Sequence, residues 1–150
     1  MCLATLTCDQ MEQAARSGKQ NIAEGSVASP TSKETEIKLT NVAKASLEEL
    51  VLDYEDYLRQ HSLAKWEAEH PRIQALRAYL KSERFLANPM EYANRYSAEE
   101  FCNAMITLIS QCRYLLRRLI AKQQEQFIKE GGIKEKMYKV RTEHRAHPKK

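Results

Sequence analysis

A chain of 150 residues, 43% hydrophobic and 29% charged, is long enough to bury a real core in one domain. Only four Gly and four Pro punctuate it, too few for the turns of a strand-rich fold, so long helices are expected. The net charge of +4 conceals an asymmetry: residues 31–70 carry five Lys or Arg against nine Asp or Glu, whereas residues 113–150 carry twelve bases against four acids.

No apolar run approaches the length of a transmembrane helix, and the opening M-C-L-A-T-L-T-C lacks the charged start and apolar length of a signal peptide. A cytoplasmic protein without membrane contact is expected.

Thr7-Cys8-Asp9-Gln10 fits a reciprocal capping pattern. The first helix is predicted over Cys8 to Glu24, with Gly25 as a left-handed stop and 26–30 as a connection. Its stripe is Met11, Ala14, Ala15, Gly18 and Ile22, so a neighbouring helix must approach the backbone closely. Ala15, Gly18 and Ile22 are therefore the candidates for helix packing or self-association. The polar remainder, Arg16, Lys19, Gln20, Asn21 and Glu24, has no catalytic arrangement.

Thr31-Ser32-Lys33-Glu34 repeats the capping pattern and opens a second helix to about Gln60. Leu39, Val42, Ala43, Leu47, Leu50, Tyr54, Tyr57 and Leu58 form its stripe, and its length is about 44 Å at the helical rise. Residues 62–96 are less regular: Pro71 is predicted to start a short helix carrying Ile73, Leu76, Tyr79 and Leu80, broken at Leu86-Ala87-Asn88-Pro89. The aromatics Trp66 and Phe85 are expected to form a lid over the ends of the longer helices.

Ser97-Ala98-Glu99-Glu100 is a full capping box, followed by a stripe of Phe101, Met105, Leu108, Ile109, Cys112, Leu115, Leu116, Leu119, Ile120, Gln123 and Phe127. Gly131-Gly132 ends this helix after about 50 Å. Ile133, Met137 and Val140 mark a short basic amphipathic segment. The expected organisation is an all-α, up-down bundle of long antiparallel helices with one or two short extra helices over residues 1–132, and a basic suffix and tail over 133–150.

No chemistry-bearing constellation emerges. Glu49, Asp53 and Asp56 share a helix face, but the only Glu-x-x-His spacing, Glu67 to His70, abuts Pro71 and has no second copy. A solvated or interfacial acidic face is the reading, with no metal. All four histidines, His61, His70, His144 and His147, fall at helix ends or in the tail, and no nucleotide-binding glycine motif is present. Cys2, Cys8, Cys102 and Cys112 show no C-x-x-C pair and read as buried free thiols, not nucleophiles. Neither a cofactor nor a catalytic residue is expected.

The basic C-terminal third is the functional lead. Arg113, Arg117, Arg118 and Lys122 flank the last long stripe, and Lys134, Lys136, Lys139, Arg141 and Arg145 follow, with Lys149 and Lys150 at the end. Three readings stay open: phosphate contact with RNA or DNA, pairing with the acidic second helix of the same or another subunit, and plain solubility.

The runs A-A-R-S-G-K-Q-N-I-A-E-G-S (Ala14 to Ser26), S-K-E-T-E-I-K-L-T-N-V-A-K-A-S-L-E-E-L (Ser32 to Leu50) and D-Y-E-D-Y-L-R-Q (Asp53 to Gln60) resemble the bacterial four-helix bundle family. This family includes proteins encoded by intervening sequences in large-subunit ribosomal RNA genes and the accessory variability protein of diversity-generating retroelements. Q-C-R-Y-L-L (Gln111 to Leu116) and E-G-G-I-K-E-K-M-Y-K-V-R (Glu130 to Arg141) are similar to the suffix segment of one branch. The resemblance implies an up-down bundle, a homo-oligomer that is often a pentamer, a basic surface, and non-enzymatic binding to nucleic acid or to a reverse transcriptase. Members carry a further long helix ahead of the stretch matching Asp9, where this sequence has eight residues, so the start is truncated or another segment fills that place. Three long stripes would leave an exposed groove that favours oligomerisation or aggregation.

Overall fold

The computed structural model describes residues 2–89, 91 and 93–146, with the side chains of residues 2–7 and 94 excepted. Six α-helices follow in order: α1 (Cys2–Ala28), α2 (Lys33–Gln60), α3 (Pro71–Leu80), α4 (Glu83–Ala87), α5 (Ala98–Glu130) and α6 (Ile133–Ala146), with a 3-10 turn at Ala93–Arg95 before α5. No strand occurs among the described residues. His147, Lys149 and Lys150 lie outside them.

α1 is longer than predicted at both ends. The helix passes through Thr7 and through Gly25, so neither is a terminus. Gly25 instead faces α2 inside the helix, where a Cβ would stand in ordinary contact, 3.5 Å from the Glu36 carbonyl oxygen and from Leu39 Cβ. Pro30 sets the real boundary, because the ring following Ser29 disfavours helical backbone there. At the next helix the cap is Ser32, whose Oγ accepts from Thr35 N at 3.2 Å, one residue later than the predicted Thr31. Thr31 instead donates to the Ala28 carbonyl at 3.1 Å. α3 begins at Pro71 as expected, but ends at Leu80; Ser82 caps a separate α4, so the break precedes Leu86. α5 starts with both halves of the Ser97–Glu100 capping box formed and stops at Gly131.

Register follows from side-chain pairs. Ser17 Oγ lies 2.9 Å from Ser46 Oγ and Gly25 sits against Glu36, so α1 and α2 are antiparallel. Arg113 meets Glu48 and Gln123 meets Glu36, so α2 and α5 are antiparallel as well. α2 is thus the central rod, with α1 and α5 on it and α3 packed along α5. Ala14, Leu47, Leu50, Val51, Ile109 and Leu116 form the shared core, with Met11, Tyr54, Met105, Ile106 and Cys112 against it. Each large side chain buried there contributes about 1.5–3 kcal/mol. The fold is the all-α bundle that the stripes imply.

Among the described side chains of α1 only Ala14, Gly18 and Gly25 are buried; a Cβ at Gly18 would meet Leu47 Cδ2 at 3.0 Å. Ala15 is exposed and Ile22 remains 37% exposed, so neither belongs to the α1–α2 seam. Both fall on the side of α1 seven residues apart, beside Met11, where a groove opens between α1 and α5. Cys8, Ala15, Tyr54 and Phe101 line its lower part, a cavity of about 360 Å³. Leu119 lies five turns beyond Phe101 on the same side of α5 and is 41% exposed. Cys102 is buried and Cys112 half-buried, but Cys8 is exposed, contrary to the buried thiol expected there.

Asn103 is 1% exposed and organises the chain between α2 and α3. Its Oδ1 accepts from Trp66 N at 2.8 Å, and its Nδ2 donates to the Ala64 and Glu99 carbonyls, each at 2.9 Å. Trp66 Nε1 donates to Glu99 Oε1 at 2.9 Å. The tryptophan is therefore clamped over the first turns of α5.

Candidate nucleic-acid interface

Positive charge is displayed where α5 runs beyond α3 and along the whole of α6. Arg113 is the exception. Its side chain is 26% exposed and its Nη2 lies 3.1 Å from Glu48 Oε1, so it ties α5 to α2 instead of facing solvent. Arg117, Arg118 and Lys122 are exposed, and no carboxylate pairs with them among the described residues. Arg118 places its guanidinium carbon 5.9 Å from the centroid of the Tyr114 ring. Lys129 is held by Glu125 at 2.6 Å and Lys136 by Glu130 at 3.1 Å; all four side chains are exposed, which makes these pairs weak.

α6 buries no residue. Lys134, Lys139, Arg141 and Arg145 are exposed and have no carboxylate partner among the described residues. Ile133, Met137 and Val140 recur at steps of four and three, all more than half exposed, so the helix offers an unpaired apolar stripe beside its cations. Gly131, with φ +71°, joins α6 to α5 in a conformation that side-chain-bearing residues rarely adopt. Gly132 N donates to Glu135 Oε2 and caps the new helix.

Two further bases join this surface that the sequence reading did not single out. Arg77 on α3 and Lys81, its C-cap, line a cleft against Tyr114 and Leu115 of α5. Their spacing of four is legible in the sequence, but that α3 lies along α5 is not, since nothing local dictates where a ten-residue helix docks.

Groups that could carry chemistry are engaged in structure. His61 stacks on Tyr57 at 4.0 Å between ring centroids, and His70 stacks on Trp66 at 5.0 Å while its Nδ1 caps α3. Burial pushes the Cys102 and Cys112 thiols up, away from thiolate. Asp53 is raised by burial first, then by Asp56 and Glu49, in a polar cleft that Gln10, Gln13 and Ser17 share from α1. No group of three or more His, Cys, Asp or Glu that could hold a metal occurs among the described residues. Among the described residues, no helix is long and apolar enough to cross a membrane.

At the far end of the bundle a buried polar layer fixes α5 against α2. Gln123 Nε2 donates to Glu36 Oε1 at 3.0 Å and to Thr40 Oγ1 at 3.2 Å, and Lys33 Nζ lies 3.0 Å from Glu36 Oε2. Burial raises the Glu36 carboxyl, but hydrogen bonds from Lys33, Ser29 and Gln123, with the Lys33 charge, outweigh it and leave its pKa below the ordinary value. This layer fixes α5 against α2 within the basic stretch, one residue after Lys122.

Compared with known protein families, with characterised proteins and with solved structures, the chain matches none of them.

Proposed function

We propose that the chain is a non-enzymatic, self-associating helical bundle of the cytoplasm that binds RNA or DNA through the basic surface of α5 and α6. The observation that carries this reading is the continuous exposure of Arg117, Arg118, Lys122, Lys134, Lys139, Arg141 and Arg145 with no carboxylate partner among the described residues. Phosphate contact needs cations presented in this way, and the counterions they release make affinity fall with salt. A filter-binding titration across salt tests it. The expected result is a straight decline of log affinity against log salt, with a slope near −0.7 to −0.9 for each phosphate contacted; a flat response, or no binding at low salt, overturns it.

The resemblance to the four-helix bundle family supports the same reading and adds two proposals, a homo-oligomer, of which a pentamer is one form, and a reverse transcriptase or another protein as partner. A second reading is an assembly module with no nucleic-acid contact. The groove between α1 and α5 and the bare stripe of Ile133, Met137 and Val140 favour it, since exposed apolar surface of this kind marks contact with protein. Light scattering before and after nuclease treatment separates the two: loss of mass with nuclease supports nucleic-acid binding, and an oligomer that ignores nuclease supports the assembly module.

A further inference from the structure

The cleft between α3 and α5 has a lining that neither helix shows alone. It has a volume of about 710 Å³ and brings Arg77 and Lys81 from one wall to Tyr114 and Leu115 on the other, with Trp66 also in its lining. Glu67 also lines it, and Lys65 is neutralised by Glu55 at 2.8 Å, but Arg77 and Lys81 have no carboxylate partner among the described residues. Tyr114 is 57% exposed, so its ring is open to a partner in the cleft. Arg118 lies over that ring, and Lys122 follows one turn later on the same side of α5.

We propose that this cleft holds single-stranded nucleic acid, an assignment that rests on the nucleic-acid reading of the basic surface. The chemistry distinguishes strand types. A duplex hides the faces of its bases and presents phosphate, so an exposed ring adds nothing to its binding, whereas unpaired bases stack on tyrosine and on planar guanidinium groups. A volume in the range of small-ligand pockets accommodates splayed bases one or two at a time, while Arg77, Lys81, Arg118 and Lys122 follow the backbone on both sides. An acidic peptide would satisfy the cations, but it would leave Tyr114 and Leu115 without a partner.

The test compares a fluorescein-labelled oligo-dT of about 15 nucleotides with a hairpin duplex of the same length, by anisotropy at about 50 mM salt. Tyr114→Ala is expected to weaken oligo-dT about tenfold and leave the duplex unchanged, and Tyr114→Trp to restore binding, as for one stacked base. Arg77→Gln with Lys81→Gln, both exposed, at the C-terminal end of α3, should weaken oligo-dT with little effect on the duplex and carries the same test should Tyr114→Ala fail to fold. Emission of Trp66, the single tryptophan, should change with oligo-dT and not with duplex. If both nucleic acids bind and neither variant shifts oligo-dT, the cleft assignment falls while the wider reading stands. If neither binds, the wider reading falls with it. If a Glu-rich peptide binds as tightly as oligo-dT and is indifferent to Tyr114→Ala, charge alone fills the cleft and the proposal is overturned.

Discussion

Asp53 shows how a single side chain works against the fold. Burial, then Asp56 and Glu49, raise its pKa above the ordinary 3.8, so the unfolded chain releases that proton more readily than the folded one. The sign follows: stability falls as pH rises from the ordinary value through the folded pKa, and the loss persists at neutral pH. Asp53→Asn should therefore raise the melting temperature at pH 7 and leave it unchanged at about pH 3, where the carboxyl is protonated in both states; an equal shift at both pH values would locate the effect elsewhere. The two glycines of the α1 seam differ in the same local way. Gly25 has room, since its nearest neighbours would stand 3.5 Å from an added Cβ, and Gly25→Ala should gain about 0.5–1 kcal/mol of helix stability. Gly18 has none, because Leu47 Cδ2 would stand at 3.0 Å, and Gly18→Val should cost about 1–3 kcal/mol in urea melts.

Elements were legible where periodicity and caps agreed. α5 was readable from Ser97 to Gly131 because a capping box, a seven-turn stripe and a left-handed glycine all point the same way. α1 runs past both of its local signals, Thr7 and Gly25, because a long antiparallel partner overrides them; propensity is a weak prior against packing. The stripe itself was half right: Ala14 and Gly18 were sorted to the seam, while Ala15, one position on, faces the groove. Burial within α2 shows the same limit, with Val42 largely outside and the unnamed Val51 inside. What the sequence could not show at all is the clamp between Asn103 and residues 64–66, since it joins positions 37 and 39 apart through a polar side chain on an otherwise apolar helix. Asn103→Ala strands the Trp66 N–H and the Ala64 carbonyl and should cost about 2–3 kcal/mol, with a shift in Trp66 emission as the segment loosens. Unchanged emission would mean that Glu99 alone holds the indole.

For the whole molecule, α2 receives both long neighbours and leaves their outer flanks unmatched. Ile22 on α1 and Leu119 on α5 stay exposed, on the helix faces that carry Ala15 and Phe101 to the α1–α5 groove, and a further copy covering that side would protect them from water. Leu119→Glu should then lower the mass seen by light scattering without lowering helicity measured by circular dichroism; an unchanged mass would place the assembly contact elsewhere, on α6. The basic surface was legible as composition, because twelve bases in 38 residues are visible without a structure. Which of them face solvent was not: Arg113 is drawn inward by Glu48, a partner 65 positions away, whereas Arg77 and Lys81 join from the C-terminal end of α3, outside the charge-rich stretches.

The bend at Gly131 turns the last two rods into separately aimed arms. Its torsion is one that an alanine reaches only under strain, and a Cβ there would press within 2.5 Å of Glu135 Oε2. One codon thus governs the angle at which fourteen residues leave the body, and with it the footprint that a long polyanion would follow from the trunk onto the arm.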